Sequence, residues 1–83
     1  MALGTSEQLR AARAMLRMEQ DQLAEAAGVS VGAISRLERL DGALAARLET
    51  VRRLQRALET AGVEFKPDGS VRLREQPAEA QTS

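Results

Sequence analysis

The residues from Gln20 to Glu38, Gln-Asp-Gln-Leu-Ala-Glu-Ala-Ala-Gly-Val-Ser-Val-Gly-Ala-Ile-Ser-Arg-Leu-Glu, constrain this chain more than any other part of it. Leu23, Ala24 and Ala27 fall at helical spacing, Gly28 suits a helix stop, and Ser30 can cap a second helix whose Ile34 and Leu37 share one face. Ala24 and Ala27 let another backbone come close. A glycine in the left-handed conformation at 28 turns the chain steeply, and Val29 plugs the corner. Two short helices around a tight turn are expected, either a plain helical hairpin or a DNA-binding helix-turn-helix.

The stretch resembles the helix-turn-helix of phage repressor and Cro proteins, the XRE family of bacterial transcription regulators. The residues that carry the resemblance are Gln20, Leu23-Ala24, Ala27-Gly28-Val29-Ser30, Ile34-Ser35 and Leu37-Glu38, with family-like sequence from about Gln8 to Glu59. The resemblance implies a mainly α fold, a lambda-repressor-like bundle of four to five helices.

With Ile34 and Leu37 turned inward, helical geometry turns Val31, Gly32, Ser35 and Arg36 outward, the face a major groove would meet. Arg36 suits guanine O6 and N7, Ser35 a base or phosphate, and Val31 a thymine methyl. Gly32 departs from the family, which usually carries a polar reading side chain nearby. Either DNA shape carries more of the recognition, or the bare backbone approaches the DNA closely. By resemblance Gln20 takes the place of a phosphate or base contact and Arg39 that of a backbone contact, with Ser30 completing the surface. Read alone, Gln20, Arg39 and Arg47 are equally ordinary solvated residues.

Arg13 lies on the apolar stripe of Leu9, Ala12 and Leu16 in a first helix expected from about Ser6 to Arg17, with Thr5 and Gln8 forming a capping box. The resemblance implies an ion pair between Arg13 and Glu38. The other reading has Arg13 snorkel from the stripe edge to water.

Leu44, Leu48, Val51, Leu54, Leu58 and Ala61 predict helix from Ala43 to Ala61, as one rod or with a separate start near Thr50, closed by Gly62. Val63-Glu64-Phe65-Lys66 and Val71-Arg72-Leu73-Arg74 alternate around the turn Pro67-Asp68-Gly69-Ser70. That predicts a C-terminal β-hairpin with Val63, Phe65, Val71 and Leu73 on one face. A lone hairpin is marginal, so it packs on the helices or pairs with another chain. The expected division is residues 1–62 as a DNA-binding domain, 63–75 as a dimerisation hairpin and 76–83 as a disordered tail.

Composition narrows the function. With 83 residues the core is small, and with one Phe and no Trp or Tyr it is aliphatic. The absence of Cys and His removes zinc fingers, cysteine nucleophiles and histidine bases. No phosphate-binding glycine loop or carboxylate cleft suggests an enzyme, so no catalytic residue, metal or cofactor is expected. Net charge is zero, which argues against indiscriminate polyanion binding, yet Arg36, Arg39, Arg47, Arg52, Arg53 and Arg56 cluster mid-chain. Arginine suits phosphate and guanine, although a GC-rich genome gives the same bias. No run spans a membrane and the N-terminus lacks a signal pattern, so the expected location is the cytoplasm, on the nucleoid when bound to DNA.

These features predict a homodimeric, sequence-specific regulator of bacterial or phage origin, a repressor that binds double-stranded DNA. The alternative is a protein-interaction module, an antitoxin or adaptor, that takes a second protein partner through its hairpin.

Overall fold

The structure, a computed structural model, describes residues 3–74. The tail expected at 76–83 lies outside the described residues. Four helices, α1 (Ser6–Leu16), α2 (Gln20–Ala27), α3 (Val31–Arg39) and α4 (Leu48–Ala61), precede strands β1 (Val63–Phe65) and β2 (Val71–Leu73).

Helix α1 starts on the predicted capping box. Thr5 Oγ1 accepts from the Gln8 N–H at 3.1 Å, and Gln8 Oε1 accepts from the Thr5 N–H at 3.0 Å. It ends one residue early, because Arg17 takes a left-handed conformation (φ 53°) that no helix can continue through. Glu19 caps α2 without its own carboxylate: Gln22 Oε1 accepts from the Glu19 N–H at 2.8 Å. Gly28 is left-handed (φ 71°) and its N–H reaches back to the Ala24 carbonyl at 2.9 Å.

Of the two expected forms, one rod from Ala43 or a separate start near Thr50, the structure takes the second, with α4 beginning at Leu48. The reason is a backbone pairing that the sequence hides. Thr5 and Ala43 form an antiparallel bridge, with the Ser6 N–H on Gly42 O at 2.8 Å and the Leu44 N–H on Gly4 O at 2.9 Å. Backbone drawn into that bridge at Ala43 and Leu44 cannot also be helical. The same pairing holds Gly4 against Leu44, and Leu3 beside it is buried.

Leu9, Ala12, Leu23, Ile34, Leu37, Leu54, Leu58, Val63 and Phe65 form one core. The strands pair antiparallel, Val63 with Leu73 and Phe65 with Val71, so these four side chains share a face as predicted. That face lies on the helices, β1 over α4 and β2 over α1, and the Gln8 amide secures the turn by donating to Gly69 O at 2.8 Å. Within this one chain Val63 and Phe65 are already buried, Val71 is partly buried, and Leu73 keeps 52 % of its surface exposed. The predicted α4 stripe breaks at both ends, where Leu48 is 64 % exposed and Ala61 is exposed too.

Candidate nucleic-acid interface

The surface is built on α3. Ser30 stands at its N-cap, and its Oγ accepts from the Ala33 N–H at 3.1 Å, pairing one amide the helix start leaves open. Ile34 and Leu37 are 0 % and 1 % exposed, which fixes the rotation of the helix about its axis. Val31, Gly32, Arg36 and Arg39 are therefore exposed and Ser35 half-buried, a continuous outward strip. Arg36 and Arg39 make no hydrogen bond or ion pair among the described residues, so both guanidiniums keep all their donors for an outside acceptor. The exposed Ser30 flanks the strip.

The other end of α3 is clasped. Arg13 Nε and Nη2 donate to Glu38 Oε2 and Oε1 at 2.8 and 2.9 Å, a two-point pair between α1 and α3. Arg13 Nη1 also donates to Met18 O at 2.8 Å, tying in the turn before α2. Burial works to raise the Glu38 pKa. Hydrogen bonds from Arg13 and Gln20, with the charges of Arg13 and Arg10, outweigh it and hold the carboxyl below its usual range.

Gln20 differs from expectation. Its Nε2 donates inward to Glu38 Oε1 at 2.9 Å, so this amide braces α3 from α2, and the Gln20 side chain is only half-exposed.

Three positioning groups escaped the sequence reading. Ser6 is fully buried and its Oγ donates to Leu37 O at 2.6 Å. Arg10 donates to Glu38 O and lies 3.6 Å from Asp41, so it ties the Glu38 carbonyl near the end of α3 to the following loop. Arg53 on α4 reaches the Gly28 carbonyl at 3.5 Å and pairs with Glu49 at 3.0 Å. Arg10 lies three residues before Arg13, on the same side of α1, and that spacing was the one signal available. Ser6 and Arg53 carry no comparable mark.

The arrangement is a short helix held at both ends, one face sealed in the core and the other lined by free donors. A helix-turn-helix family model, HTH_3, matches residues 9–65, more than half of the chain. The chain belongs to the XRE family of helix-turn-helix proteins. None of the curated proteins matches it. As an XRE-family member it is a DNA-binding regulator, with α2 and α3 as the helix-turn-helix and α3 as its second helix. XRE domains act by binding rather than by catalysis in general, and among the described residues no His, Cys, Asp and Glu cluster is suited to a metal. No helix among them is long and apolar enough to cross a membrane.

Proposed function

We propose that this XRE-family protein is a homodimeric repressor that reads a near-palindromic operator, each subunit placing α3 in one major groove. The observation that carries the proposal is the orientation of α3, with Ile34 and Leu37 sealed inside while Val31, Gly32, Ser35 and Arg36 face out. An α-helix fits the major groove, where every base pair presents a distinct donor and acceptor pattern. Arg36 forks onto guanine, Ser35 bonds a base or phosphate, and Val31 touches a thymine methyl. Ser30 and Arg39 flank that strip and set its register on the phosphates. Two-fold symmetry spaces the half-sites by one helical turn, roughly 34–36 Å.

The dimer contact is assigned to the hairpin, through the part its own subunit leaves free, Leu73 and the exposed side of Val71. Residues 1–62 carry the DNA-binding unit, and Val63 and Phe65 anchor the hairpin to it. A DNA-bound regulator of this kind works in the cytoplasm, on the nucleoid.

Selection of bound fragments from random DNA by the purified protein tests the proposal. A palindrome that depends on Arg36 supports it. Salt-sensitive binding without a preferred sequence, together with one stable protein partner, replaces it with the antitoxin or adaptor reading.

A further inference from the structure

The mid-chain arginines divide between two surfaces. Arg36 and Arg39 lie on the outward strip of α3, whereas Arg52, Arg53 and Arg56 lie on α4 and line a groove of about 770 Å³ between α4 and α2. No residue of the α3 strip lines this groove. Its floor is small and apolar, with Ala27 buried, Ala57 half-buried and Ala26 exposed beside them. Leu48 stands at the end where α4 begins, and at 64 % it is the most exposed large apolar side chain among the described residues.

The positive charge along this groove is uncompensated. Glu49 is the one carboxylate that lines it among the described residues, and Arg53 already holds that group at 3.0 Å while reaching the Gly28 carbonyl at 3.5 Å. Arg52 and Arg56 make no hydrogen bond or ion pair among the described residues. The relief is that of a helix seat. Leu48, Arg52 and Arg56 follow one another four residues apart, and the same three line a second groove of about 390 Å³ on their other side, over Leu3 and Val51. A row at that spacing, standing between two grooves, is the surface into which the ridges of another helix pack, and small residues such as Ala27 and Ala57 let its backbone come close.

We infer that the α2–α4 groove docks an amphipathic α-helix of another protein, whose acidic stripe meets Arg52 and Arg56 and whose adjoining apolar stripe covers Leu48, Ala27 and Ala57. Two other occupants fit this surface less well. A second copy related by a two-fold axis brings the same cationic row onto itself, which like-charge repulsion opposes. DNA phosphates satisfy the arginines but leave Leu48 and the alanine floor without an apolar partner. The inference does not depend on what α3 reads.

The test uses the full chain and, as probe, a fluorescently labelled synthetic helix of about 15 residues built from Ala, Leu and Glu, with Glu on one stripe beside a Leu stripe. A peptide of the same composition in scrambled order is the control. Fluorescence anisotropy is expected to give a micromolar Kd for the patterned helix and binding about tenfold weaker for the scrambled one. Arg52→Gln combined with Arg56→Gln, and separately Leu48→Ser, each weaken the patterned helix about tenfold. All three positions are exposed, so the melting temperature of these variants barely moves. Added salt weakens binding by the unaltered chain more than by the double Gln variant.

The inference is overturned if neither peptide binds, if the two bind alike, or if the variants bind the patterned helix as the unaltered chain does. Loss of self-association in the variants, read by sedimentation, assigns this face to a second copy and also overturns it. A fall in DNA affinity about equal for all sequences in the double Gln variant, with no peptide bound by the unaltered chain, assigns the arginines to phosphate and overturns it as well.

Discussion

Arg13 and Glu38, separated by 25 positions in the chain, meet in two hydrogen bonds of 2.8 and 2.9 Å at the end of α3 farthest from its cap. The Glu38 side chain is 6 % exposed and that of Arg13 is 21 % exposed, so the pair is largely withdrawn from water. Removing one partner from such a pair costs more than the pair itself contributes, because the survivor stays buried without its counter-charge. The contact therefore acts as a registration device that fixes α3 against α1. The outward strip of α3 inherits its position from that register.

A double-mutant cycle measures the coupling. Arg13→Ala is expected to cost about 3 kcal/mol in chemical unfolding, and Glu38→Ala somewhat less because Arg13 can turn to solvent. The double variant should be less destabilised than the sum of the two by about 1–3 kcal/mol. Strict additivity would show that the two groups do not interact.

Acid sensitivity follows from the same carboxylate. Because the folded state holds the Glu38 pKa below its usual range, the unfolded chain binds the proton more readily, and protonation favours unfolding. The stabilisation is complete above the ordinary glutamate pKa of about 4.3 and is lost as the pH falls through the lower, folded value. Urea midpoints recorded from neutral pH to pH 3 should fall through this window, and Glu38→Gln should flatten part of the slope while lowering the neutral midpoint. A Glu38→Gln curve parallel to that of the unaltered protein refutes the assignment.

Arg36 and Arg39 should separate by the kind of loss they cause. Arg36→Ala is expected to weaken the selected site by about 1–3 kcal/mol and to relax preference at one base position. Arg39→Ala should weaken all sequences alike and lower the salt dependence of binding by about one phosphate contact. Both residues are exposed, so the melting temperature should barely move. Equal, sequence-independent losses for the two would remove Arg36 from base reading.

The two ends of the hairpin face make opposite predictions. Phe65 belongs to the core, and Phe65→Ala should cost about 3–5 kcal/mol and lower the melting temperature. Leu73 is half-exposed, so Leu73→Asp should leave the fold intact and shift the sedimentation coefficient from dimer to monomer. An unchanged dimer transfers the contact elsewhere, with the exposed Leu48 of α4 as the next position to alter.

Much of the scaffold was readable because its signals are local. The Thr5–Gln8 box, the left-handed Gly28, the Ser30 cap and the Pro67–Ser70 turn each depend on a few adjacent residues, and each formed where the pattern placed it. The start of α4 stayed open between two positions for the opposite reason. Ala43-Leu44 has helical composition, but Thr5 and Gly4, far away in the chain, draw it into an extended pairing. Propensity is weaker than a tertiary hydrogen-bond partner. Leu48 shows the same limit: its spacing places it on the apolar stripe, yet as the first residue of α4 it is left exposed.

The sequence by itself determined which residues could face a groove. Burial of Ile34 and Leu37 follows from their polarity, and helical periodicity then turns Val31, Gly32, Ser35 and Arg36 to the other side. Tertiary structure alone decided that Ser6, Arg10 and Gln20 join Arg13 in holding that helix, converging on Leu37 and Glu38. It also decided that Val63 and Phe65 close the core of their own subunit. Periodicity fixes which way a side chain points along its own helix, but it carries no distance to a residue on another element. Hydrogen bonds and packing, which act only over a few ångströms, are settled when the chain brings those elements together.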